Sequence, residues 1–385
     1  MYKRFGMKSK LPHVGTTIFT RMSALAHQHD AINLSQGFPN FPADKKLTAL
    51  AAQALRDDHN QYAPLGGKFS LRKILSEKVA RLYDRNIDPE TDITLTAGAT
   101  QAVFTAVATM VHPGDEVIMF KPAYDCYEPA IDLNRGITRV FQMKPPQYAI
   151  DWNAVEDLIS EKTKLIVLNS PHNPTGKLLH QADIDALIQL VDKYPQLYIL
   201  SDEVYEHMTF DERPHLSVLQ FPKLAARSMA CFSFGKTFHV TGWKLGYIIA
   251  PEALMNEFRK VHQYNVFCVN HPFQVALAEY LKDADNYLNL PAFYQKKRDH
   301  FLSITSRSRL KMLPSEGSYF QLADYSEISN EKDDAFTLRL IREKGLALIP
   351  VSGFNQNAEQ HHNVRICFAK TDETLEAAAE IINRL

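Results

Sequence analysis

Cysteine is scarce in this chain, and nothing in its spacing pairs it. The four cysteines among 385 residues, Cys126, Cys231, Cys268 and Cys367, lie far apart and form no CxxC step. A disulfide scaffold and a thiolate zinc cluster are therefore not expected, and four reduced, partly buried thiols of a cytoplasmic protein are the default. An excess of one charge is missing as well. Lysine and arginine number 43 against 44 aspartates and glutamates, for a formal net charge of -1, which favours neither nucleic acid nor an anionic membrane as partner. The strongest apolar run, residues 102–111, falls well short of the roughly 18 residues of a membrane span. No apolar signal core follows the basic start Met1-Tyr2-Lys3-Arg4. The 15 histidines include no HExxH arrangement and no cysteine or carboxylate cluster joins them, so no metal site is expected. His27, His29, His361 and His362 are expected on surfaces. Internal repeats and low-complexity segments are also absent.

What is present is a long, ordinary globular composition. A chain of 385 residues, 45% apolar and 23% charged, is too long for one core and predicts two domains. Between residues 92 and 250 short apolar runs alternate with amphipathic helices. The runs at 93–96, 116–120, 138–142, 165–169, 197–201, 229–234 and 245–250 predict strands of an α/β domain with a largely parallel sheet. Such sheets bind ligands at the carboxyl ends of their strands. Further helices are expected at 19–27, 251–263, 276–281 and 291–307. A smaller C-terminal part shows strands at 319–323, 346–350 and 364–368 and helices at 333–344 and 372–384.

The last two runs of the large domain enclose Ser233-Phe234-Gly235-Lys236-Thr237, then Phe238 to Thr241, then Gly242-Trp243-Lys244. A lysine at the end of a buried strand is costly unless it is paired or does chemistry. Held partly neutral there, its amine suits Schiff-base work. An ATP phosphate loop is excluded because Ala230 stands where that motif needs its first glycine. Other strand ends carry chemistry too. Thr96-Ala97-Gly98-Ala99-Thr100 opens a helix whose first amides suit a phosphate, although a plain capped start reads the same. Asp202 ends a buried strand and wants a cationic partner. Asn169-Ser170-Pro171-His172-Asn173-Pro174 packs two prolines into one loop and fixes where Asn173 points. Arg365 interrupts an apolar strand, either as a surface edge residue or as a buried cation awaiting an anion.

Together these stretches resemble the class I/II aminotransferases, enzymes built on pyridoxal 5′-phosphate, and within them the methionine and kynurenine/glutamine aminotransferases. The resemblance spans nearly the whole chain. It implies the PLP-dependent transferase fold (fold type I): a large domain with a mostly parallel seven-stranded sheet and a smaller α+β domain. The expected division is an N-terminal arm at 1–44 shared with the small domain, a PLP-binding domain at 45–285 and a small domain at 286–385. It implies that Lys236 carries the cofactor as a Schiff base and serves as acid and base. By the same resemblance Ala99, Thr100, Ser233 and Lys244 hold the phosphate, with lysine at 244 where many relatives have arginine. Tyr124 stacks on the pyridine ring, Asp202 binds its nitrogen, and Asn173 and Tyr205 bind its phenolic oxygen. Tyr62 reaches across a homodimer to the partner's phosphate. Gly37 and Arg365 meet the substrate carboxylate beside Asn173.

The side-chain pocket is expected to be apolar. Residues 266–272 contain neither lysine nor arginine, Phe267 matches a pocket phenylalanine of the kynurenine/glutamine enzymes, and Ile18 and Phe19 are its expected neighbours. Methionine is the preferred donor on that reading, with kynurenine/glutamine transamination or cysteine-conjugate β-elimination as alternatives using the same residues. A PLP-binding transcription regulator is disfavoured because about 30 residues precede Asn33, too few for a DNA-binding domain. A plain α/β domain without cofactor is the third alternative, which an absorption spectrum of the purified protein distinguishes.

Overall fold

The structure, a computed structural model, describes Gly6 and residues 8–385. In chain order the strands are β1 (Ile32–Asn33), β2 (Ile93–Thr96), β3 (Glu116–Lys121), β4 (Ile137–Gln142), β5 (Thr163–Asn169), β6 (Tyr198–Asp202), β7 (Ser228–Ser233), β8 (Gly246–Ile249), β9 (Lys311–Met312), β10 (Phe320–Asp324), β11 (Leu346–Ala347), β12 (Ile349–Pro350) and β13 (Asn363–Cys367). Seven of them form one sheet in the order β2-β8-β7-β6-β5-β3-β4. β8 runs antiparallel to both neighbours and the other pairings are parallel. Every residue of β2 and β8 is buried, and β3, β5, β6 and β7 nearly so, whereas β4 at the edge alternates. Continuous apolar runs are what a sheet covered on both faces requires.

One face of the sheet packs on the helices Ala99–Met110 and Glu252–Asn265, through Ala102, Val103, Ala106, Met255 and Phe258. The other face carries the larger core that includes Leu71, Leu75, Phe232 and Tyr247. A second, antiparallel sheet, β12-β13-β10-β9, has its own core around Tyr319, Phe336 and Phe368. β1, from the N-terminal part, pairs in parallel with β11 beside it.

Some elements differ from expectation. The segment 346–350 is two short strands in different sheets. The helix expected at 276–281 begins at His271 instead, because Asn270 caps it and Pro272 occupies its first turn, where a missing N–H does no harm. Phe234 leaves β7 and starts a one-turn helix, Phe234–Thr237, capped by Ser233, whose Oγ accepts from the Lys236 amide at 3.3 Å. His27 and His29 are exposed, but His361 and His362 are half-buried.

Candidate active site

Two adjoining cavities meet over Lys236. The first, about 710 Å³, is lined by the start of the Ala99–Met110 helix, Tyr124, Tyr127, Asn173, Asp202, Val204, Ser233 and Lys244. The second, about 940 Å³, is lined by Phe19, Gln36 to Phe38, Phe320 and Arg365. Tyr124, Asn173, Tyr205 and Lys236 belong to both.

At one end of the first cavity the structure builds an anion seat. Gly98 precedes the helix at φ 76°, a left-handed conformation suited to glycine, and no side chain caps the helix start. The free amides of the first turn face the cavity with the positive end of the helix dipole behind them. A Cβ on Gly98 would stand 3.4 Å from Lys244 Nζ, so that ammonium closes the seat. Lys244 makes no salt bridge among the described residues.

At the other end Asp202, at the end of β6, is 5% exposed. The Tyr127 hydroxyl donates to its Oδ2 at 2.6 Å and the Val204 amide to its Oδ1 at 3.3 Å. Burial pushes this carboxyl above its usual range despite those donors. A buried carboxylate in that state calls for a cation across the cavity.

Lys236 lies between. Burial lowers its amine from 10.5 to about 8, with Arg365 and Lys244 adding to the effect and Cys367 and Asp202 opposing it. Its Nζ donates to the Gly37 carbonyl at 3.2 Å. The Tyr319 hydroxyl donates to the same oxygen at 2.6 Å.

Arg365 is 1% exposed on β13, an interior strand, so it is no edge residue. Its Nη1 donates to Asn173 Oδ1 at 2.8 Å and its Nη2 to the Ser35 carbonyl at 3.1 Å. The guanidinium carbon lies 4.0 Å from the centre of the Phe320 ring. Its Nε has no partner among the described residues, which leaves donor capacity for a carboxylate. Gly37 must be small, since a Cβ there would come within 2.7 Å of the Phe320 ring.

The structure thus brings together Gly37, Ala99, Thr100, Tyr124, Asn173, Asp202, Tyr205, Ser233, Lys236, Lys244 and Arg365 around the two cavities. It does not bring Ile18 there. That side chain packs on the cluster of Met22, Ala26 and Phe354, and the neighbouring Phe19 faces the site. Tyr62 and Phe267 are 81% and 45% exposed, pair edge to face at 5.3 Å, and line neither cavity of this chain. Tyr127 and Tyr319 join the site without a sequence signal. Glu203, next to Asp202, faces away and pairs with His215 Nε2 at 2.8 Å.

Beneath the 202–207 turn lies a buried polar group. Lys78 Nζ donates to Glu206 Oε1 at 2.6 Å, the Tyr83 hydroxyl to Glu206 Oε2 at 2.5 Å, and Lys78 also reaches the Tyr247 hydroxyl at 2.9 Å. Burial raises Glu206, but Lys78 and His207 outweigh it and bring the carboxyl down to about 2.

A seven-stranded, mostly parallel sheet with a lysine, an aspartate and an anion seat at its strand ends defines an α/β enzyme of transferase type. Residues 29–382 match the model of the family aminotransferase class I and II, and the chain belongs to that family and is an aminotransferase. It is 48% identical over 379 residues to the methionine aminotransferase of Escherichia coli, covering 98% of each chain. It is 34% identical to kynurenine–oxoglutarate transaminase 3 of Rattus norvegicus, over 99% of this chain and 90% of that one. Among solved structures, Escherichia coli YbdL, reported with a methionine aminotransferase function, superposes with a TM-score of 0.96 at 48% identity, covering 98% of this chain and 99% of that one.

The residues fit pyridoxal phosphate. The seat of helix amides and ammonium suits its phosphate, the raised Asp202 carboxyl suits its ring nitrogen, and the lowered Lys236 amine lies between the two.

Proposed function

We propose that this chain is a cytoplasmic, homodimeric, pyridoxal-phosphate-dependent aminotransferase that moves the amino group of methionine, and of aromatic or other weakly polar amino acids, to a 2-oxo acid. Bound in the first cavity, the cofactor supplies an aldehyde and an electron-accepting ring. In the proposed roles, the amides of Ala99 and Thr100, the Ser233 hydroxyl and Lys244 hold its phosphate. Asp202 keeps a proton on its ring nitrogen, Tyr124 covers the ring, and Asn173 and Tyr205 donate to its phenolic oxygen. Arg365, with the Gly37 backbone and Asn173 beside it, orients the amino acid by its carboxylate. Lys236 takes the proton from the substrate Cα and returns one during the same half-reaction. The proposed cofactor-binding unit is residues 45–285, with 286–385 and the N-terminal arm forming the small domain.

The dimer is supported by the exposed aromatic pair Tyr62 and Phe267, with Tyr264, three positions before Phe267, 88% exposed. An exposed apolar patch of this kind suits a second copy. In that copy Tyr62 would reach the partner's phosphate and Phe267 the partner's side-chain pocket. No helix among the described residues is long and apolar enough to cross a membrane.

The single observation behind the methionine preference is the wall of the second cavity. Among the described residues its only cations are Lys236 and Arg365, and the rest of the wall is uncharged, with Phe19, Phe38 and Phe320 beside Thr20, Ser23 and Gln36. A flexible thioether fills an irregular aromatic pocket well. An aspartate side chain would be desolvated there without a partner, at a cost of ~1–3 kcal/mol, roughly tenfold to hundredfold in kcat/KM. Measuring kcat/KM for methionine, phenylalanine, glutamine, kynurenine and aspartate with one common oxo acid tests this. Aspartate equal to or better than methionine would refute the apolar-pocket reading, and kynurenine in first place would favour the kynurenine alternative. Pyruvate and thiol release from a cysteine conjugate would reveal β-elimination.

A further inference from the structure

The turn from Ser35 to Phe38 is held by its carbonyls. Arg365 Nη2 donates to the Ser35 carbonyl at 3.1 Å, and Lys236 Nζ to the Gly37 carbonyl at 3.2 Å. Lys370 Nζ donates to the carbonyls of Gln36 at 3.3 Å and Phe38 at 2.8 Å, and lies 5.3 Å from the Phe38 ring centre. None of these three cations forms a salt bridge among the described residues. Four successive backbone oxygens therefore take the place of carboxylates for three positive charges.

Both ends of the turn are tied to the segment that carries Lys370. The Leu34 carbonyl accepts from the Cys367 amide at 2.9 Å. Beyond the turn, Asn40 Oδ1 accepts from the Thr371 amide at 2.7 Å, and Asn40 Nδ2 donates to Thr374 Oγ1 at 2.9 Å. Lys370 is 3% exposed and lines neither of the two cavities over Lys236.

Two of the three cations are needed elsewhere under the proposed function, on which this inference rests. Lys236 must leave the Gly37 carbonyl to meet the cofactor, and Arg365 must turn its donors to the substrate carboxylate. Lys370 has no such second task. We propose that Lys370 is a positioning residue: its ammonium keeps the Gln36–Phe38 turn against the substrate seat once the other two cations have let it go. Charge-assisted hydrogen bonds of this kind are about twice as strong as neutral ones, which suits the one remaining cation, spanning the carbonyls on either side of the Gly37 oxygen that the neutral Tyr319 hydroxyl keeps.

The test uses cofactor-loaded protein and 4-(methylthio)butanoate, which has the carboxylate and thioether of methionine but no amine to react. Lys370→Met should take up cofactor as the parent does and bind the probe about tenfold to hundredfold more weakly by calorimetry, the range for lost hydrogen bonds to a charged group. KM for methionine should rise by a similar factor while kcat falls less, and amide exchange in the 34–40 peptide should speed up. Lys370→Arg should recover most of the affinity. If methionine at 370 prevents folding, Lys370→Gln, which removes the charge and keeps a donor, serves the same comparison. Probe affinity and exchange within twofold of the parent, even with a lowered melting temperature, would overturn the proposal. A parent protein that takes up no pyridoxal phosphate would overturn the functional reading and the proposal with it, and the uptake measurement tells these two failures apart.

Discussion

The amine of Lys236 in the cofactor-free protein should titrate near neutrality, and its neighbours should move it in opposite directions. Burial sets its pKa at about 8 against an ordinary 10.5. At pH 7 the neutral fraction is then about 9%, against about 0.03% for an ordinary lysine, a difference of roughly 300-fold. Because only the neutral amine is nucleophilic, reactivity should climb as pH rises and level off above about 8. Competitive labelling with trace acetic anhydride, read at the Lys236 peptide by mass spectrometry against a small amine standard, gives that midpoint directly. Two variants carry the sign. Asp202 raises the lysine pKa and Arg365 lowers it, so Asp202→Asn should move the midpoint down and Arg365→Met should move it up. A parent midpoint at pH 10 or higher would refute burial as the activating force. Both variants moving the same way would refute the electrostatic account.

Gly37→Ala should raise KM for every amino acid, because its Cβ would push at 2.7 Å on the Phe320 ring that lies 4.0 Å beneath the Arg365 guanidinium; cofactor uptake should not change, and a KM effect confined to one donor would contradict this. Lys78→Met should leave Glu206 buried and unpaired and lower stability by ~3–5 kcal/mol in denaturant titrations, with Lys78→Met/Glu206→Gln recovering most of it; a single-variant loss under ~1 kcal/mol would show the pair to be dispensable. Mixing Tyr62→Phe/Lys236→Ala chains with unaltered chains should give heterodimers whose one remaining site binds cofactor more weakly. Full per-site affinity would count against a hydroxyl contributed by the second copy.

Much of the site was legible because strand ends punctuate an α/β sequence. Asp202, Asn173 and the Ala99 helix start each follow an apolar run, and a polar residue there has few bland uses. The contacts that were not legible run through backbone oxygens. Tyr319 and Lys236 share the Gly37 carbonyl, and Lys370 holds those on either side. A carbonyl is present at every position, so no residue type advertises it. Helix phase explains Ile18. Met22 and Ala26 are buried on one face of that helix with half-buried Ile18 one turn before them, while Phe19, a step round the helix, touches the same cluster and also reaches the cavity wall. The helix expected at 276–281 starts earlier, at His271, because Pro272 sits in its first turn where no N–H is needed.

The two cavities also differ in when their parts are made. Among the described residues this chain's walls of the anion seat and the Asp202 end come from residues 98 to 245, while the substrate side waits for Phe320 and Arg365 far down the chain. The Ser35 carbonyl and Arg365 are 330 positions apart. Domains generally fold as units during synthesis, the earlier one first. A ribosome-bound chain would therefore finish its own share of the cofactor's berth while the cation that selects amino acids was still untranslated, so the order of synthesis matches the order in which cofactor and substrate are bound.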